Sequence, residues 1–317
     1  VPTSTPVLRL APDEPLHVLV PSRALAGAVA ALSPRVHAHR VHAADGPVTG
    51  EAARAQVWVP RGGAPVAEDF LGSLPGLQLV QLLTAGAEQF VDRLPEGVVL
   101  CNARGAHTPS TAEWVLTAVL AAQRGFPHFV REQAARRWSF SVQRSLVGAR
   151  VLVVGAGDIG RAVGRMLDGF DVELTFVART ARDGVRSVDE LPALLPHADV
   201  VVLLVPVTPE TVGLVDAAFL AAMPDGALLV NAARGVVVDT DALVAELAGG
   251  RLRAALDVTD PEPLPPGHPL WDAPGLLLTP HVGGAVPATD ARAAETVTGQ
   301  VRRVLAGEPL VNVVDRY

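Results

Sequence analysis

The chain has 317 residues, 49% of them apolar, and a formal net charge of −7. That length suits two globular domains, and the negative balance argues against nucleic acid or an anionic membrane surface as partner. All 26 basic residues are arginine, which excludes a Schiff-base lysine and a G-K-[ST] phosphate loop.

In chain order, the opening VPTSTPVLRLAPDEP lacks the basic start and apolar block of a secretory leader. LHVLVP (16–21), AQVWVP (55–60) and LQLVQLL (77–83) read as strands, separated by Ala-rich helical stretches and Gly/Pro turns. They make a small α/β unit. HAHRVH (37–42) lacks carboxylate or cysteine partners and reads as a solvated strand end, so no metal site is expected. The single cysteine, Cys101, allows no internal disulfide and suits a reducing, cytoplasmic setting. STAEWVLTAVLAAQRGF (110–126) has a Ser/Thr cap, an acid in the first turn and a long apolar run, and predicts a helix joining two units.

A second series of apolar runs follows at 151–154, 174–177, 200–205, 228–230, 254–256 and 276–278, separated by helical segments or loops. This alternation predicts a parallel, doubly wound sheet. No run is long enough to span a bilayer. A last helix, about 288–306, follows the sheet and is expected to return to the first unit. The expected domains are therefore 1–110 with 288–317, and 111–287.

Within ARVLVVGAGDIGRAVGRMLDGF (149–170), Gly155, Gly157 and Gly160 form a G-x-G-x-x-G turn between a strand and a helix. In that context the glycines make the turn, admit a pyrophosphate and let helix and strand pack closely, with the helix N-terminus facing the phosphates. The next strand decides the dinucleotide. TFVARTARDG (175–184) has Ala178 where an NAD enzyme usually carries Asp or Glu, followed by Arg179, Thr180 and Arg182. A missing carboxylate removes repulsion of a 2′-phosphate, and a guanidinium can grip one. NADP(H) is the expected cofactor, with NAD(H) a weaker possibility.

Three more segments each place one ionisable residue after a strand: Arg234 in LLVNAARGVVVD (228–239), Glu262 in AALDVTDPEPLPPGHPLW (254–271) and His281 in LLLTPHVGG (276–284). Singly, each reads as a solvated or structural residue. Together, and with LTAGAEQFVD (83–92), NARGAHTPSTAEW (102–114), VPVTPETVGLVD (205–216) and MPDGALLVNAARG (223–235), they resemble the D-isomer-specific 2-hydroxyacid dehydrogenases over nearly the whole chain. The resemblance implies two similar Rossmann-like or flavodoxin-like α/β domains, with parallel sheets, an active-site cleft between them, and usually a dimer.

The resemblance also implies roles. Arg234 would bind the carboxylate of a small 2-keto or 2-hydroxy acid, His281 would act as general acid and base, and Glu262 would orient its ring. Thr84, Ala85 and Gly86 would add a carboxylate cradle, making them substrate-binding with Arg234 and His281. The dinucleotide would meet Gly155, Gly157, Asp158, Ile159, Gly160, Val205, Pro206, Ala232, Ala233, Asp257 and Gly283, besides Arg179, Thr180 and Arg182. Glu262 argues against the formate dehydrogenases, which carry Gln there, and the absence of lysine argues against phosphite-oxidising relatives. A chain ending at Tyr317 leaves no room for the regulatory domain of longer phosphoglycerate dehydrogenases. The leading expectation is an NADPH-dependent 2-ketoacid reductase of the glyoxylate/hydroxypyruvate type. The alternative is a dinucleotide-sensing binding protein, like the corepressors that share the fold.

Overall fold

A computed structural model describes residues 6–8, 10–11 and 13–314. Part of the N-terminal stretch read above for a leader, and Tyr317, lie outside the described residues. The first elements are β1 (Leu16–Val20), α1 (Arg23–Ala30), β2 (Val36–Arg40), β3 (Val57–Trp58), β4 (Leu79–Gln81) and β5 (Val99–Cys101). Next come α2 (Thr108–Gln123), α3 (Phe126–Ala134), β6 (Arg150–Val154), α4 (Asp158–Leu167), β7 (Glu173–Ala178) and β8 (Val185–Ser187). The chain continues with α5 (Leu191–Leu194), β9 (Val200–Leu203), α6 (Ala217–Ala222), β10 (Leu228–Asn231), α7 (Thr240–Ala248), β11 (Arg253–Leu256), β12 (Leu276–Leu278) and α8 (Pro287–Ala306).

These elements form two compact units, Val1–His107 with Val286–Tyr317, and Thr108–Ala285. In the first unit, five parallel strands run in the order β2-β1-β3-β4-β5. Strand alternation splits its core. Val18 and Val20 join Val29, Val297 and Val301 on one face, while Leu19, Trp58, Phe70 and Leu100 fill the other. α8 is fastened to β4 by buried amides: Gln300 Nε2 donates to Gln81 Oε1 at 3.0 Å and to the Val311 carbonyl at 2.9 Å.

The second unit has seven parallel strands in the order β12-β11-β10-β9-β6-β7-β8. Val151 and Val153 face α2 and α4, whereas Leu152 and Val154 face α5, α6 and α7. The apolar runs are continuous because both faces are covered. The order reverses between β6 and β9, and in such sheets ligands bind beyond the strand ends at that switch.

Several local expectations are corrected. Helix α2 opens at Thr108, so Ser110 is a buried residue of its first turn rather than the cap. β5 and β8 are strands that the sequence did not mark, and β2 spans Val36–Arg40 where only a solvated strand end at 37–42 was expected. Two of the three histidines of HAHRVH have a partner remote in sequence: His17 on β1 stacks on His37 and on His39, with Nδ1 3.0 Å from His39 Nε2. Among the described residues no group of three or more His, Cys, Asp or Glu is arranged to hold a metal ion, and no helix is long and apolar enough to cross a membrane.

Candidate active site

The glycine turn lies between β6 and α4. Gly155 sits at φ +119°, and a Cβ there would lie 2.5 Å from the Leu204 carbonyl oxygen at the end of β9. A Cβ on Gly160 would lie 2.1 Å from the Gly155 carbonyl oxygen, so α4 can rest on the turn only because Gly160 has no side chain, while the bare Gly155 lets the end of β9 approach. Gly157 differs. A Cβ there would meet nothing within 4 Å, which is the open ground a pyrophosphate needs beside a helix N-terminus. Asp158 and Ile159 form the first turn of α4, exposed and half-buried respectively. These residues fit a dinucleotide.

β7 ends at Ala178, with no acid at its tip. Arg179 and Thr180 follow, both exposed, and Arg182 Nη2 reaches back to the Ala156 carbonyl at 3.1 Å. The guanidinium of Arg182 therefore rests on the glycine turn. The Glu210 carboxyl is held below its ordinary range by the Thr208 side chain, its own backbone and, to a smaller extent, the charge of Arg179. Arg179 thus acts electrostatically on the loop after β9. That loop begins with Val205 and Pro206, whose carbonyl accepts from Thr211 Oγ1 at 2.7 Å.

Three adjacent strands, β10, β11 and β12, end in loops that are tied together. After β10, buried Asn231 staples the turn: Oδ1 accepts from the Ala233 amide at 3.0 Å and Nδ2 donates to the Arg234 carbonyl at 2.9 Å. The Ala232 amide bonds Leu203 of β9, and Ala233 is buried. A Cβ on Gly235 would lie 2.0 Å from the Thr259 carbonyl oxygen, so glycine lets the Arg234 turn close on the loop that leads to Glu262. Thr240 Oγ1 bonds the Asp260 carbonyl at 2.9 Å and clasps the same two loops.

Asp257, 4% exposed, binds the third loop. Its Oδ1 accepts from Thr279 Oγ1 at 2.7 Å and from the Val282 amide at 2.8 Å, and its Oδ2 accepts from the Gly283 amide at 2.7 Å. Its carbonyl accepts from the His281 amide at 2.7 Å. His281 is thereby held at φ +54°, a left-handed conformation costing a non-glycine residue about 1–2 kcal/mol. Its ring Nδ1 lies 2.6 Å from Glu262 Oε1, with both side chains open to solvent. A carboxylate on Nδ1 fixes the ring tautomer and leaves Nε2 to exchange a proton with a ligand.

The second unit thus brings Arg234, Glu262, Asp257 and His281 onto one cluster of loops, and the glycine turn with Arg179, Thr180 and Arg182 onto the other side of β9. Thr84, Ala85 and Gly86 belong to the first unit, in the loop after β4. There Thr84 Oγ1 donates to the Gly86 carbonyl at 2.9 Å and Asn102 Nδ2 to the Ala85 carbonyl at 2.8 Å. The Ala85 and Gly86 amides have no partner among the described residues. Sequence reasoning missed Asn231, Gly235, Thr240 and Thr279. Only Asn231 and Gly235 left a trace, as a turn-forming pair flanking the Arg234 motif.

Comparison with known proteins gives a family for the chain. A family model described as D-isomer specific 2-hydroxyacid dehydrogenase, NAD binding domain, matches residues 116–283. The D-3-phosphoglycerate dehydrogenase of Mycobacterium tuberculosis (strain ATCC 25618 / H37Rv) is 34% identical over 314 residues, covering 94% of this chain and 58% of that protein. The chain therefore spans little more than half the length of that relative. A glyoxylate reductase from Thermofilum pendens is 32% identical over 257 residues, covering 76% of this chain and 75% of the relative. Among solved structures, a D-isomer specific 2-hydroxyacid dehydrogenase from Xanthobacter autotrophicus Py2, in complex with NADPH and MES, is 33% identical with a TM-score of 0.83, covering 96% of this chain and 98% of that one.

Proposed function

Because the chain belongs to the D-isomer-specific 2-hydroxyacid dehydrogenase family, we propose that it reduces a small 2-keto acid to the D-2-hydroxy acid, reversibly, with NADPH preferred over NADH. The observation that carries this reading is the His281–Glu262 pair at 2.6 Å, set on a turn that Asp257 holds in place. A bound nicotinamide dinucleotide would supply or accept the hydride at C2. Arg234 binds the substrate carboxylate through its fork of N–H donors. His281 gives a proton from Nε2 to the carbonyl oxygen as charge grows there, and removes it in the oxidation direction. Glu262 holds the opposite ring nitrogen. The free amides of Ala85 and Gly86 support a second set of carboxylate donors from the first unit, which takes the substrate-binding role.

Asp257 keeps lone pairs beyond its three accepted bonds and can receive one more N–H, from the nicotinamide amide. Ala178 at the tip of β7 and the arginines after it support the NADP preference, and the relative solved with NADPH is consistent with it. A homodimer is also proposed. Phe126, Val130, Trp138, Phe140 and Val142 are strongly exposed within a short stretch, Trp138 completely, and a second copy of the chain is the proposed cover.

The test follows NADPH and NADH oxidation against glyoxylate, hydroxypyruvate, pyruvate, phenylpyruvate and 2-ketoglutarate. Turnover with at least one acid, faster with NADPH, is expected. Cofactor binding with no turnover on any acid, joined to cofactor-dependent capture of a partner protein, would replace the enzyme by a dinucleotide sensor.

A further inference from the structure

In the first unit, the loop after β4 owes its shape to the segment that follows β5. The Thr84 carbonyl accepts from the Ala103 amide at 2.8 Å, and the Ala85 carbonyl accepts from Asn102 Nδ2 at 2.8 Å. Both peptide units are trans, and a trans peptide points its C=O and its N–H to opposite sides. Drawing the two carbonyls toward residues 102 and 103 therefore turns the Ala85 and Gly86 amides away from that segment. The two amides with no partner among the described residues are thus the two whose peptide carbonyls are tied down.

Asn102 is itself held at each polar group. Its amide donates to the Asn312 carbonyl at 3.0 Å, its carbonyl accepts from Gln81 Nε2 at 3.1 Å, and its Oδ1 accepts from the Arg104 amide at 3.1 Å. The Arg104 amide can only donate and the Ala85 carbonyl can only accept, which fixes the side-chain amide in one orientation. Two more side-chain amides stand behind it, each 1% exposed: Gln300 of α8 donates to Gln81, and Gln81 donates to the Asn102 carbonyl. Three side-chain amides thus donate in series from α8 to the loop after β4, and a satisfied network of this kind is rigid.

Granted the carboxylate-binding role proposed above for those amides, we propose that Asn102 is the positioning residue of the cradle: its grip on the Ala85 carbonyl aims the Gly86 N–H at the substrate carboxylate. A donor fixed in advance loses little freedom on binding, so the effect falls on affinity. The carboxylate is unchanged by hydride transfer at C2, so the contact is worth the same in ground state and transition state. Losing the aim therefore raises KM and spares kcat. A residue that merely tied two loops together would, on removal, lower the melting temperature with no selective effect on KM.

The experiment uses the full chain saturated with NADPH, and oxalate as a non-reacting carboxylate probe. Wild type, Asn102→Ala and Asn102→Asp are compared by isothermal titration with oxalate, by hydrogen exchange over residues 83–90, and by kinetics with the 2-keto acid that wild type turns over fastest. Asn102→Asp keeps the shape and the bond from Arg104 but sets an oxygen against the Ala85 carbonyl. Oxalate should protect the Ala85 and Gly86 amides of wild type and bind about tenfold or more weakly to both variants, as loss of an aimed, charge-assisted donor predicts. KM for the keto acid should rise by a similar factor while kcat changes by about twofold or less. Wild-type affinity for oxalate in both variants, with the wild-type amides protected, would overturn the role of Asn102 and leave the cradle standing. A fall in kcat and melting temperature without a rise in KM would overturn it too, by reducing Asn102 to a structural tie. Wild-type amides that exchange freely at every oxalate concentration would overturn the cradle and the role together.

Discussion

His281 occupies a backbone conformation that its residue type disfavours, and four hydrogen bonds to Asp257 hold the turn around it. Asp257 is therefore a positioning residue as well as a candidate cofactor contact. Asp257→Asn keeps the volume but cannot accept from both the Val282 and Gly283 amides, and a buried N–H left unpaired costs about 1–3 kcal/mol. We expect a lower denaturation midpoint together with a fall in kcat and an altered pH profile of kcat. A variant with a normal pH profile and impaired cofactor binding alone would restrict Asp257 to the dinucleotide. His281→Ala should reduce turnover about a hundredfold or more while leaving cofactor affinity nearly intact, the usual contribution of a general acid. Steady-state kinetics beside dinucleotide titration separates the two quantities.

Among the elements, the glycine turn makes a sharp contrast testable. Gly160→Ala drives a Cβ into the Gly155 carbonyl and should lower the melting temperature, whereas Gly157→Ala meets open space and should melt normally but bind dinucleotide poorly. Equal melting of the two variants would show that the turn relaxes. How much was legible follows the same physics. The strands of the nucleotide-binding sheet other than β8 were readable because burial within the sheet writes them as unbroken apolar runs. β2 was legible only as a solvated strand end, since VHAHR is polar and lies at a sheet edge. β8 is an edge strand, VRS, with no apolar run, and β5, VLC, is apolar but lacks the alternation around it that marks a half-buried strand. Arg234, Glu262 and His281 stood out as ionisable residues after strands in a familiar order. The clasp of Gly235 on Thr259 and the grip of Asn102 on Ala85 depend on contacts between distant residues, which no local window contains.

At the scale of the whole molecule, the two units respond differently to pH and to thiol reagents. His17, buried on β1, is pushed below the ordinary histidine range first by burial, then by the charges of His39 and His37, and by Arg54 against the opposing pull of Glu51. His39 is lowered too, chiefly by burial. A depressed folded-state value means the unfolded chain takes up protons first, so stability is intact above the ordinary histidine value of 6.5 and is lost as pH falls below it, through the folded values. Hydrogen exchange should show β1 and β2 loosening under that acidification, and His17→Gln should flatten the effect. In the same unit the Cys101 thiol is raised to about 12 by burial, so Ellman's reagent should react only after unfolding. In the other unit, the glycine turn and arginines gather on β6 and β7 while the loops proposed to handle the proton gather on β10, β11 and β12, with β9 between. That division of labour across one sheet is modular. On the proposed roles, a graft replacing residues 178–182 is expected to change the preferred coenzyme while the proposed acid–base pair, three strands away, keeps its substrate and its pH profile, so selection can retool one without re-evolving the other.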